Sequence, residues 1–167
     1  ITRKVADKLS SLFKKDRKEF EKKWNDIKIV IEYGMLSEEK FYEKSEKFAL
    51  YPTVDDKFYT YEEIYNKIKA KQTDKDDKLI ILYASDKQAQ HSYIQNAKNK
   101  GYEVLLLDSP IVSHLIQKLE TSKENIQFAR VDSDHIDNLI NKDKNKISKL
   151  NDEQKKELEE IVKNIIN

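Results

Sequence analysis

The chain has 167 residues, with 32 Lys and Arg against 31 Asp and Glu and a formal net charge of +1, so bulk charge gives no support to nucleic-acid or anionic-membrane binding. Ile, Leu, Val and Phe supply 45 residues, about 27% of the chain and above the ~20% that marks sequences unable to bury a core, while the lack of cysteine excludes disulfides and thiolate metal sites and suits a reducing compartment. The two glycines exclude a glycine-rich phosphate loop, a dinucleotide fingerprint and a Gly-x-Ser-x-Gly elbow, and no apolar run approaches the ~20 residues of a membrane span.

The first third reads as helices. Val5, Leu9, Leu12 and Phe13 form one apolar stripe at helical spacing. Asp16 followed by Glu19 predicts an N-cap with its capping-box partner, and Phe20, Trp24, Ile27 and Ile31 carry the next stripe. Gly34 is expected to stop that helix as a left-handed residue, with Ser37 capping a third helix that carries Phe41, Tyr42, Ser45, Phe48 and Ala49. Residues 1–50 are thus expected to form a helical coil.

Residues 51–60 read as a connector. Thr60-Tyr61-Glu62-Glu63 fits a capping box ahead of Ile64, Tyr65 and Ile68, and residues 72–78 read as a polar loop. From Leu79 the period changes. Leu79–Tyr83, Val104–Leu107 and Ile126–Val131 have strand length, and the first two are continuously apolar, as strands covered on both faces should be. Between them lie two helix patterns: Ala89, Tyr93 and Ala97 stopping at Gly101, and Ile111, Val112, Leu115, Ile116 and Leu119 after Ser109 as N-cap and Pro110 at N1. Strand–helix–strand–helix–strand predicts a short, mainly parallel sheet in an α/β fold, a small three-layer α/β/α subdomain over 51–140 that closes on a helical turn after Ser133. Residues 141–149 read as a charged linker. Leu158, Ile161, Val162, Ile165 and Ile166 form the stripe of a last helix. A start at Ile1 without Met and an end in Ile165-Ile166-Asn167 lead to the expectation that both ends are cut from something longer.

His91, His114 and His135 lie on different elements without metal-ligand spacing, so a catalytic or metal-bound histidine is not expected. The acidic residues are more suggestive. Asp86, Asp108 and Asp132 follow the three strands, at the carboxyl edge where open α/β sheets bind ligands, and three convergent carboxylates could hold Mg²⁺ as in a phosphoacceptor site. Capping accounts for them equally well, because Ser85, Ser109 and Ser133 adjoin them and both residue types satisfy free N–H groups at helix starts.

Certain stretches carry a family resemblance: Ile1–Leu9, Trp24–Gly34 ahead of Glu38-Glu39, the strand at Lys78–Tyr83, and above all Lys100-Gly101-Tyr102-Glu103-Val104-Leu105-Leu106-Leu107-Asp108-Ser109-Pro110-Ile111. Together they resemble the bacterial branch of the heat shock protein 90 family, over about residues 1–140. The resemblance implies the distal part of that family's middle domain, with 141–167 as linker and first helix of a C-terminal dimerisation domain. It further implies a cytoplasmic ATP-dependent chaperone dimer, in which ATP and Mg²⁺ bind domains outside this segment. The segment itself would be a non-enzymatic, monomeric piece that holds no cofactor, transmits conformational change, and contacts unfolded client proteins, not nucleic acid or membrane. By alignment the client-facing positions are Ser113, His114 and Gln117. The family's usual acidic pair is replaced by Val112 and Ser113, and a plain solvated helix face is the alternative reading.

Overall fold

The computed structural model describes residues 2–142, 157 and 159–165. The chain begins with three helices, α1 (Thr2–Lys15), α2 (Arg17–Ser37) and α3 (Glu39–Ser45). Asp16 separates the first two by accepting a hydrogen bond from the Glu19 N–H at 3.2 Å, the N-cap the sequence predicts. Edge-on aromatic contacts then run through the coil, Phe13 to Phe20 at 5.4 Å, Phe20 to Phe48 at 6.5 Å and Phe48 to Phe41 at 5.9 Å. In α1 the buried line is displaced from the expected stripe: Ala6 is buried, and Val5 and Leu12 are exposed.

Gly34 does not end α2. The helix continues through it to Ser37, and the Phe41 ring passes so close that a Cβ at residue 34 would lie 2.8 Å from its Cε1. The glycine provides room, and no left-handed turn is involved. Ser37 likewise does not cap α3: its hydroxyl donates back to the Tyr33 carbonyl at 2.7 Å, and Glu38 stands at the start of α3.

The expected connector contains a two-residue hairpin, β1 (Tyr51–Pro52) against β2 (Phe58–Tyr59), with Asp56 at positive φ in its turn. Thr60 and Glu63 form the predicted reciprocal capping box at the start of α4 (Tyr61–Ile68). Three strands follow, β3 (Leu79–Ala84), β4 (Val104–Leu106) and β5 (Ile126–Arg130), alternating with α5 (His91–Asn99), α6 (Val112–Ser122) and the short α7 (Ile136–Leu139). The sheet is wholly parallel in the order β4-β3-β5, with Leu82 opposite Val104 and Ile81 opposite Phe128. This is the α/β class expected.

Alternation along β3 divides the sheet's two faces. Leu79 and Ile81 join Leu105, Leu115, Leu119 and Phe128 in a cluster that continues into Phe20, Trp24 and Ile31 of the coil. Ile80, Leu82 and Ala84 face the other way, onto Ile94 and Ala97 of α5 and Ile136 of α7. The expected stripe of α5 is therefore shifted: Gln90, Ile94 and Ala97 are buried, whereas Ala89 and Tyr93 are exposed. Gly101 does stop α5, at φ 81°, with the Tyr102 and Gly101 N–H groups returning to the Ala97 and Lys98 carbonyls. The expected residues of the linker from 143 and the start of the last helix lie outside the described residues. Residues 159–165 are helical, with Ile161, Val162 and Ile165 exposed.

Candidate functional site

Helix α6 is anchored on one side and open on the other. Leu115, Ile116 and Leu119 are buried against the sheet and coil. One flank is tied to α3 and its following turn: Lys118 pairs with Glu39 at 2.6 Å and sits 4.9 Å from the Tyr42 ring, and Lys123 pairs with Glu46 at 2.7 Å. The Tyr42 and Ser122 hydroxyls are hydrogen-bonded as well. Ser113, His114 and Gln117 are all exposed, and Thr121 continues the same line one turn on, its hydroxyl donating to the Gln117 carbonyl at 2.7 Å. Half-buried Ile111 and Val112 border this polar strip at its N-terminal end. The helix starts later than expected. Ser109 accepts from the Ile111 N–H at 3.3 Å in a preceding turn, and Ile111 occupies the N-cap position without a side-chain bond.

The three aspartates at the carboxyl edge of the sheet are each held by their own neighbours. Asp86 is turned onto its own loop, accepting from the Gln88 and Ala89 N–H groups at 3.0 and 3.1 Å. Asp108 pairs with Lys28 of α2, and Asp132 takes the Arg130 Nε at 2.5 Å. Burial pushes the Asp132 carboxyl up, but hydrogen bonds from Gln90 and Arg130 outweigh it and hold the group below its usual range. No three His, Asp or Glu side chains among the described residues are grouped so as to hold a metal ion. The turn ahead of α5 thus occupies Asp86, and ion pairing occupies Asp108 and Asp132. His91, His114 and His135 are exposed on separate elements.

Gln90 was invisible as a site residue, since a glutamine near a helix start has no distinctive signal. It is 5% exposed, accepts from the Ser85 and Asp86 N–H groups at 2.8 and 3.0 Å, and reaches Asp132, closing the sheet edge with one amide. Gln72, expected in a polar loop, is buried and staples the Ile80 carbonyl to the Glu103 N–H. An apolar hollow of about 290 Å³ lies between α1 and α2, lined by Leu9, Leu12, Phe20 and Ile27.

No family model matches the chain. It is 54% identical over 154 residues to the chaperone protein HtpG of Bacteroides thetaiotaomicron, which covers 92% of this chain and 23% of that protein. The chain belongs to the heat shock protein 90 family. The HtpG of Porphyromonas gingivalis is 46% identical over 155 residues, or 93% of this chain and again 23% of the relative. This family segment therefore spans about a quarter of the length of the curated relatives it matches. Among solved structures, the middle domain of a Plasmodium falciparum putative heat shock protein matches 68% of this chain and 47% of its own, with a TM-score of 0.51 at 19% identity. That likeness shows the shared fold.

Proposed function

We propose that this chain is the distal middle-domain segment of an ATP-dependent chaperone, and that Ser113, His114 and Gln117 make weak contacts with unfolded clients. The observation that carries this reading is the asymmetry of α6, fixed to the coil along the Lys118–Lys123 flank and exposed along the strip beside it. Such a helix moves with the coil as one piece, so a rearrangement arriving through α2 and α3 would reorient the strip. Residues 1–50 act as the coil, 51–140 as the α/β/α subdomain, and 141–167 as linker and first helix of a C-terminal dimerisation domain. ATP and Mg²⁺ belong to the parent protein's other domains in this reading, and the segment itself is non-enzymatic and monomeric, within a parent that is a cytoplasmic homodimer. Polar side chains beside half-buried Ile111 and Val112 suit a client without fixed structure, since the contact needs no shape match.

Anisotropy of a labelled, permanently unfolded model protein tests the reading. Combined Ser113→Ala, His114→Ala and Gln117→Ala is expected to weaken binding roughly 5-fold, about 1 kcal/mol. Gln95→Ala with Asn96→Ala, on the exposed side of α5, should leave it unchanged. Equal affinities for all three proteins would overturn the assignment.

A further inference from the structure

Glu32 is an acidic side chain in an apolar position. It lies on α2, is 7% exposed, and its Oε2 is buried without a hydrogen-bond partner. The Ser109 hydroxyl, whose oxygen accepts from the Ile111 N–H, bonds the same carboxyl. One turn earlier on α2, Lys28 pairs with Asp108. Two neighbouring positions on α2 thus grip two consecutive residues of the β4–α6 connection, some eighty residues away in sequence. The groups acting on the Glu32 charge are Lys28 on its own helix and Asp108 and Ser109 on the connection; the buried Tyr51 of β1 feels the Glu32 charge in turn, and burial above all holds its phenol neutral.

When Glu32 is ionised, the junction holds two carboxylates and one lysine, with one carboxylate oxygen denied both water and a donor. An unsatisfied buried polar group costs on the order of 1–3 kcal/mol, and more when charged. Two events lower that cost: proton uptake by Glu32, which removes the buried charge, or separation of α2 from the connection so that water reaches Oε2. We propose that Glu32, Ser109, Lys28 and Asp108 form a proton-linked joint between the coil and α6, closed when Glu32 is protonated and loosened when it ionises. Burial first, and the Asp108 charge with it, raise the Glu32 carboxyl above its ordinary value, against the opposing Ser109 bond and Lys28 charge. The sign follows: the stabilisation is complete below about pH 4.5 and is lost as pH rises through the higher folded value. This joint is independent of whether the α6 strip takes clients.

The test is a carboxyl ¹³C titration of the whole chain, with amide shifts and hydrogen exchange followed at residues 108–115. The Glu32 midpoint should lie above 4.5, and the Ser109, Ile111 and Val112 amides should titrate with it. Exchange at Ile111 and Val112 should accelerate several-fold beyond its intrinsic pH dependence across the same interval. Glu32→Gln, which keeps an acceptor for Ser109, should abolish that step and leave exchange at its slow level. Asp108→Asn, which removes the like charge and frees Lys28, should lower the Glu32 midpoint. A midpoint at or below 4.5, or an amide response unchanged in Glu32→Gln, would overturn the proposal.

Discussion

At the scale of single residues, Gly34 and Arg17 show opposite ways of being fixed by neighbours. Gly34 sits inside α2, where alanine would ordinarily gain about 1 kcal/mol of helix propensity. The Phe41 ring at 2.8 Å from the added Cβ, itself packed on Phe48, turns the sign, since overpacking costs about 1–3 kcal/mol. Gly34→Ala is therefore expected to lower stability by about 1 kcal/mol in urea denaturation, with an unchanged slope. Arg17 instead collects partners: both terminal guanidinium nitrogens donate to Glu63, at 2.8 and 2.6 Å, while its Nε donates to Glu21. The Arg17 hydrogen bonds hold the Glu63 carboxyl down at about 2, helped by the Thr60 N–H. A lowered carboxyl contributes stability above its unfolded value of about 4.5 that disappears as pH falls through about 2. With Glu63 42% exposed, screening keeps that contribution under about 1 kcal/mol. Arg17→Ala should raise the Glu63 midpoint in a carboxyl titration while leaving it below 4.5, because Thr60 still donates. Asp16 and Thr60 were legible as caps because their partners lie three residues away. Arg17, Glu32 and Gln72 were not, because each also reaches a partner far along the chain, Glu63, Ser109 and Glu103 respectively.

At the scale of elements, local chemistry decided ends better than faces. The Thr60–Glu63 box was readable outright, and Thr60→Ala should cost about 1 kcal/mol through loss of the α4 cap. Thermal melts of this variant and of Thr121→Ala, on the exposed strip of α6, should separate clearly if the cap rather than the hydroxyl itself matters. Gly101 was readable for the same reason, as a glycine following a helix pattern. The buried face of α1 lies a residue from the expected stripe because Ala6 is small enough to be overlooked as core, and in α5 Gln90 and Ile94 are buried beside the expected Ala97, while Val5 and Tyr93 attract attention and are exposed. Pro110 drew the start of α6 too early: the chain makes a hydrogen-bonded turn at Ser109 before the helix begins. The exposed strip of α6 survives that error, since its phase is set by Leu115, Ile116 and Leu119.

At the scale of the whole molecule, one apolar cluster runs from Trp24 and Ile31 in the coil through Leu115 and Leu119 of α6 to Ile81 and Phe128 of the sheet. Such continuity predicts joint unfolding: Trp24 fluorescence and far-ultraviolet dichroism should give coincident transitions, and an early Trp24 transition would show the coil parting first. The three-layer order and the parallel sheet were readable because strand-length apolar runs alternate with helix patterns. The carboxyl edge was readable in place but not in chemistry, because Lys28 and Gln90 claim Asp108 and Asp132 from directions the local sequence does not reveal. The measurement that tests the central claim most directly is an amide-shift titration of the labelled chain with a permanently unfolded protein. The account predicts that perturbations gather at Ser113, His114 and Gln117 and fade across the buried side of α6. Perturbations gathered instead at Leu9, Leu12 and Ile27 around the α1–α2 hollow, or none on α6 at saturating client, would contradict it.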